Sequence, residues 1–251
     1  MENMDQWRIK HKEIIDDFLR FLNRDNDRYI LKGGTSLMEC YHLDRFSDNI
    51  DLNGILGQKE ISGDDIIEKI AAYTEMNGFG YLVAKNTDTV KRCFIHYGGE
   101  KPLKIETSFR DQSVSRENVT RINGILVYKI DPLMMQKCLA YQQRDKIRDL
   151  YDVSFIFNNY RDELSPGTIE LLKTVISYKG IEQFDYLVEN QKDRSINVDK
   201  LAEDFLDMYD DLGLLVEKEE EEIMADMISE FSGSGSRGYR QADRDSEGPV
   251  R

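Results

Sequence analysis

The 251-residue sequence predicts an α+β fold. A mixed sheet with flanking helices is expected over residues 1–130 and a helical bundle over residues 131–232. Three observations support this division. Short apolar runs with strand alternation occur only before residue 130. From Asp131-Pro132 onward the apolar residues recur at helical spacing instead. Between a short apolar run and the next helix stands Lys32-Gly33-Gly34-Thr35-Ser36-Leu37, where two permissive residues let the backbone turn sharply. The last segment, 233–251, is rich in Gly, Ser and charge and reads as a disordered tail.

Trp7, Ile14, Ile15, Phe18, Leu19 and Leu22 share one helical face, which predicts an amphipathic helix to about Asn23. Tyr29-Ile30-Leu31 reads as a buried strand, Thr35 to Tyr41 as a helix and Asn49 to Asn53 as a strand. Gly63-Asp64-Asp65 starts a helix that stops at Asn77-Gly78. Tyr81 to Ala84, Arg92 to Tyr97 and Leu103 to Phe109 read as strands, with Gly98-Gly99 turning the last two into a hairpin. A further strand is expected over Ile125 to Ile130. Asp131 as N-cap and Pro132 at the first helical position then open the helical half. Helices follow over Leu133–Gln143, Asp145–Asn158, Pro166–Tyr178, Ile181–Glu189, Val198–Leu212 and Leu215–Phe231.

Composition narrows the function classes. The net charge is −14, and it is uneven: residues 1–130 carry 19 Lys and Arg against 21 Asp and Glu, residues 131–232 carry 11 against 24. Broad nucleic-acid coating needs basic surface, so any RNA contact must be local. No apolar run reaches the length of a membrane span and the N-terminus is not a signal peptide, so no membrane partner and a cytoplasmic location are expected. Cys40, Cys93 and Cys138 lack metal-site spacing and read as buried free thiols. With His11, His42 and His96 as the whole histidine content, zinc chemistry and a Ser–His triad have little material.

The chemistry-bearing motifs lie close together. Gly33, Gly34, Thr35 and Ser36 form a phosphate cradle at a helix start, or equally an ordinary strand-to-helix turn with a Thr cap. Downstream, Arg45-Phe46-Ser47-Asp48-Asn49-Ile50-Asp51-Leu52 places Asn49 and Asp51 on one face of a strand, where two carboxylates would share a divalent metal. Asp48 falls on the opposite face. Lys104, Glu106 and Ser108 share a face of a later strand, which makes Glu106 either a third ligand or a solvated residue. Lys137, Arg144, Lys146 and Arg148, with Asp149, form the one dense basic island of the acidic half. Arg45 alone reads as a surface salt bridge, and Asp152 as a solvated residue or a buried arginine partner.

These motifs, with Arg148-Asp149-Leu150-Tyr151-Asp152 as the third, resemble the AbiEii/AbiGii toxin family of the polymerase β-like nucleotidyltransferases over about Tyr29 to Phe157. The resemblance implies an N-terminal nucleotidyltransferase domain (1–130) and a helical domain (131–232). It implies Mg²⁺ or Mn²⁺ on Asp51, Asn49 and Glu106, and an NTP held by Gly33, Gly34, Thr35, Ser36, Ser47, Lys137, Arg144, Lys146 and Asp149. It further implies transfer of a nucleoside monophosphate to an RNA acceptor, the 3′ end of tRNA, and a cognate antitoxin. Removing Lys137 is expected to weaken NTP binding and leave folding intact. The sequence departs from the family pattern at Asn49, where a carboxylate is expected. An inactivated variant, a natural weak enzyme and a nucleotide- or partner-binding protein with a degraded site all account for it. A transferase that modifies a protein hydroxyl is the remaining alternative.

Overall fold

The computed structural model describes residues 2–25, 27–55 and 65–215. Its elements, in order, are α1 (Glu2–Leu22), β1 (Tyr29–Lys32), α2 (Gly33–Cys40), β2 (Asn49–Gly54), α3 (Ile66–Asn77), β3 (Gly80–Asn86), β4 (Val90–His96), β5 (Leu103–Ser108), β6 (Val119–Ile122), β7 (Ile125–Tyr128), α4 (Ile130–Gln143), α5 (Ile147–Tyr160), α6 (Pro166–Asn190) and α7 (Val198–Asp211). The seven strands form one mixed sheet in the order β3-β4-β5-β2-β1-β7-β6. The β2–β5 and β1–β7 pairs are parallel and the others antiparallel. This is the predicted α+β class.

The sheet centre is apolar because β1 and β7 are covered on both faces and β2 on the face of Ile50 and Leu52: Ile30, Leu31, Ile50, Leu52 and Val127 are fully buried. Helix α1 packs Ile15, Phe18 and Leu19 inward. Its His11 ring bonds the Tyr97 hydroxyl and, at 3.0 Å, the Asp48 carbonyl, which fixes the approach to β2. Helix α3 starts on Asp65, whose side chain accepts from the Ile67 N–H, and stops at Gly78 in the left-handed region. Cys40, Cys93 and Cys138 are buried free thiols, as expected. Among the described residues no helix is long and apolar enough to cross a membrane.

Two expectations need correction, and one strand was not foreseen. The strand placed over Ile125 to Ile130 ends at Tyr128, because Lys129 already caps α4 and Ile130 begins it. Asp131 is therefore inside the first turn, where its carboxylate accepts from the Ser165 N–H at 2.7 Å, and Pro132 is tolerated because first-turn N–H groups need no helical acceptor. Strand β6 was missed, since Val119–Ile122 is short and half-buried at a sheet edge. The helices expected on either side of residue 180 are both present: α6 is interrupted at Gly180, whose φ 70° and ψ 176° are not helical, so two helical segments meet there at a kink.

In the helical half α4 packs against α5 and α6. Residues 1–208 form one compact unit, so the boundary expected at 130/131 lies inside it; a second unit begins at Tyr209. The helix expected over Leu215–Phe231 and the tail over 233–251 lie outside the described residues, apart from Leu215 itself.

Candidate active site

The sheet register assembles the site. Lys32 pairs with Asp51 across the antiparallel β1–β2 ladder, and Asp51 pairs with Glu106 across the parallel β2–β5 ladder. Directly paired residues on neighbouring strands, about 4.8 Å apart, present their side chains on one face. Asp51 and Glu106 accordingly line one cavity of about 310 Å³, with Gly33, Lys137 and Arg144 on its walls. A second cavity of about 520 Å³ shares Gly33, Asp51, Lys137 and Arg144 with the first. It extends past Gly34, Ser47 and Asn49 to Lys146, Arg148 and Asp149. Asp51 is thus the common element, with Glu106 on one side and Asn49 on the other.

The glycine pair makes this approach possible. Gly33 has φ +76°, and a Cβ on it would lie 3.1 Å from Asp51 Oδ2; a Cβ on Gly34 would lie 2.5 Å from Arg45 Nη2 and 3.1 Å from Ser47 Oγ. Thr35 and Ser36, expected on the phosphate cradle, are instead buried beneath it. The Thr35 hydroxyl donates to the Asn49 carbonyl and meets Ser47 Oγ at 2.9 Å. That of Ser36 donates to the Gly33 carbonyl at 2.7 Å. They brace the turn against the start of β2, and neither lines the two cavities.

The basic wall is tied together from below. Arg45, read from sequence as a surface residue, is only 4% exposed. Its Nε and Nη2 donate to the two carboxylate oxygens of Asp152 at 2.6 and 2.7 Å. Lys137 Nζ reaches the same Asp152 at 2.5 Å and Asp149 at 3.6 Å. Arg144 forks onto Asp149 at 2.7 and 3.0 Å, and Arg148 pairs with Asp193. Lys146 has no ion pair among the described residues. Asp152 is therefore a buried arginine partner, the second of the two readings its sequence allowed. This also corrects the expectation for Lys137: as a buried half of an ion pair, it cannot be removed without a folding cost.

Charge states follow from these surroundings. Burial lifts the Asp51 carboxyl above its usual range; Lys104, Lys137 and Lys32 oppose this and Glu106 adds to it. Burial acts the same way on Glu106, but the hydrogen bond from Arg92 at 2.7 Å and Lys104 at 3.3 Å outweigh it and hold that carboxyl low. Asp152 is likewise held low by Lys137 and Arg45 against a larger burial penalty.

Among the described residues no three His, Cys, Asp or Glu side chains gather as a cation site. The donor chemistry nonetheless fits one divalent cation at Asp51. Its carboxylate is desolvated, faces both cavities and has no hydrogen bond or ion pair among the described residues, so a cation would compensate it. Asn49 gives its N–H to Asp48 Oδ1 at 3.1 Å, which leaves the amide oxygen as its coordinating atom. Glu106 would have to share itself with Arg92 and Lys104.

Of the part of the site contributed by α4, sequence reasoning found Lys137 and missed its neighbours. Leu133, Gln136 and Ala140 line the first cavity with it at spacings of three and four, a stripe legible as one helical face. It also missed Lys32 and Ser108, although Ser108 alternates with Glu106.

Similar folds occur in JHP933 from Helicobacter pylori (23% identity, TM-score 0.67, covering 88% of this chain and 97% of that one). A putative nucleotidyltransferase from H. pylori is also similar (24%, 0.66, 81% and 93%). So is MenT4, the nucleotidyltransferase toxin Rv2826c of Mycobacterium tuberculosis (16%, 0.51, 86% and 87%). No curated protein matches. Residues 13–232 match the family described as nucleotidyl transferase AbiEii toxin, type IV toxin–antitoxin system, and with most of its length so matched the chain belongs to the AbiEii family of nucleotidyltransferase toxins.

Proposed function

We propose that this protein transfers a nucleoside monophosphate from an NTP to an RNA acceptor, the 3′ end of tRNA, and that a cognate antitoxin restrains it. The observation that carries the reading is the placement of Asp51. It lies between a turn whose two glycines leave no room for a Cβ and a wall of oriented cations, in two cavities that share it.

In that geometry the triphosphate lies along the larger cavity, against Gly33, Gly34 and Ser47 on one side and Lys137, Arg144 and Lys146 on the other. Asp149 acts by orienting Arg144 and Lys137. A Mg²⁺ or Mn²⁺ ion held by Asp51, the Asn49 amide oxygen and Glu106 would supply charge compensation on the phosphoryl oxygens. The acceptor hydroxyl oxygen bonds to the α-phosphorus as the bond to the β-bridging oxygen breaks. Pyrophosphate leaves with the electron pair, and the hydroxyl proton passes to solvent water. Basic side chains fixed by their carboxylate partners need little reorganisation as charge develops.

Asn49 lowers the negative charge of the site by one, so the chain is a weak transferase in this reading. The test is incubation with each α-phosphate-labelled NTP, Mg²⁺ or Mn²⁺, and total tRNA or total protein, for this chain and for Asn49→Asp. Labelled tRNA, with transfer raised about 10²-fold in Asn49→Asp, is the expected result. Label on protein alone would replace RNA by a protein hydroxyl acceptor. Background transfer in every arm for both chains would refute catalysis and leave a nucleotide-binding protein.

A further inference from the structure

The 310 Å³ cavity continues beyond Glu106, away from the basic wall, into a third cavity of about 400 Å³ that shares Lys32, Ser108, Gln136 and Ala140 with it. Building on the transferase reading, we infer that this third cavity, lined by Tyr128, Gln136, Leu139, Gln143 and Arg110, is the acceptor subsite and takes the terminal nucleoside of an RNA.

The argument begins with in-line displacement. Attacking and leaving oxygens stand on opposite sides of the α-phosphorus. With the triphosphate directed toward Arg144, Lys146 and Arg148, the attacking hydroxyl must arrive from the other end of the Asp51 cavity. Lys32, Glu106 and Ser108 line that end, Lys32 and Ser108 are shared with the third cavity, and there the character of the walls changes. The triphosphate side carries Arg45, Lys137, Arg144, Lys146 and Arg148, whereas the third cavity has two cations, Lys32 and Arg110, and one carboxylate, Asp111.

Its remaining surface suits a neutral ring with a polar edge. Tyr128 is 4% exposed at the end of β7, and its hydroxyl has no partner among the described residues although burial pushes it up to about 12. It therefore stays a protonated donor at neutral pH. Leu139 on α4 offers an apolar contact and is 43% exposed. The carboxamides of Gln136 and Gln143, on the same helix, and the guanidinium of Arg110 have no hydrogen bond or ion pair among the described residues. Each amide offers a donor and an acceptor to a base edge. A buried tyrosine presenting its hydroxyl, beside free amides and few charges, suits the edge hydrogen bonds by which unpaired RNA bases are read.

The test measures two affinities for each variant: that of a 5′-fluorescein single-stranded RNA hexamer with a free 3′ end, and that of a non-hydrolysable ATP analogue. Gln143→Ala and Arg110→Ala alter exposed side chains, so folding is preserved; Tyr128→Leu removes the ring and is checked by its melting temperature. The expected result is about ten-fold weaker RNA binding per variant, the order seen when one hydrogen bond is lost, with analogue binding within about two-fold. Lys146→Ala is expected to show the reverse. Weaker analogue binding in the Gln143 and Arg110 variants would assign the cavity to the incoming base and overturn the inference. Unchanged RNA affinity in all three variants would overturn it too. Failure of the unaltered protein to bind the analogue at all would instead remove the transferase reading on which the inference rests.

Discussion

Asp152 is the keystone of the basic wall, and its replacement by Asn tests the electrostatic account most directly. The Asp152 side chain is fully buried, forked by Arg45 at 2.6 and 2.7 Å and met by Lys137 at 2.5 Å. Asn keeps the shape, removes the charge and turns an N–H toward one of the two cations. Removing one partner of a buried ion pair costs about 3–5 kcal/mol, because the surviving charge is left desolvated. In a compact unit of 208 residues, each kcal/mol moves the melting temperature by about 2–4 °C, so a fall of roughly 6–20 °C is expected. The control is Asp149→Asn on the same helix. Its main partner Arg144 has a head group 59% exposed, and the loss there should stay near 1 kcal/mol. The pH dependence has a definite sign. Asp152 is held below its ordinary value near 3.8, so its contribution is present above that value and is lost as pH falls through the lower folded value. The gap between the two proteins, followed by circular dichroism during thermal unfolding, should therefore be full at pH 7 and narrow below about pH 3.8. An Asp152→Asn protein melting within about 2 °C of the unaltered chain at pH 7 would refute the account, since a buried unpaired cation cannot be that cheap.

Three further perturbations separate the roles of the neighbouring residues. Gly34→Ala places a Cβ 2.5 Å from Arg45 Nη2, which Asp152 prevents from moving. It should lower stability by about 1–3 kcal/mol and weaken binding of a fluorescent NTP analogue, as read by denaturation and titration. Lys146→Ala removes an exposed cation without an ion pair, so titration should show about ten-fold weaker NTP binding and fluorimetry an unchanged melting temperature. Asp51→Asn relieves a desolvated carboxylate whose ionisation opposes folding as pH rises through its elevated value. Its melting temperature at pH 8 without divalent ions should equal or exceed that of the unaltered protein, and the rise produced by Mn²⁺ should vanish.

Much of the site was legible because it follows from short-range rules. Strand alternation alone places Lys104, Glu106 and Ser108 on one face, and the parallel register then sets Glu106 beside Asp51. A glycine pair before a helix signals a close approach without saying of what; the structure supplies Asp51, Arg45 and Ser47. The illegible parts depend on long-range pairing. Nothing local to Arg45 shows that it is buried, because its partner lies 107 residues away on α5. Thr35 and Ser36 look identical in sequence whether their hydroxyls meet phosphate or protein, and only the fold of β2 back onto α2 decides it. Strand β6 escaped notice for a related reason, since an edge strand with one partner needs little apolar alternation.

The ion-pair pattern also reconciles an acidic chain with a site for polyanions. Of the five cations on the triphosphate side, Arg45 and Lys137 are immobilised on Asp152, while Arg144 and Arg148 are held by Asp149 and Asp193 with their heads 59% and 42% exposed. The carboxylates cancel most of the long-range field, so the wall attracts polyanions weakly from a distance. At contact the exposed faces of Arg144, Arg148 and Lys146 are already aimed, and a triphosphate replaces solvent around them. Selectivity then comes from fit within a few ångströms. In the proposed acceptor subsite the same economy of charge holds, with the Tyr128 hydroxyl and free amides in place of phosphate-neutralising lysines. A chain at −14 cannot hold RNA along its backbone through counterion release. On the proposed reading it holds only one end, by edge hydrogen bonds, which is all that transfer to a single terminal hydroxyl requires.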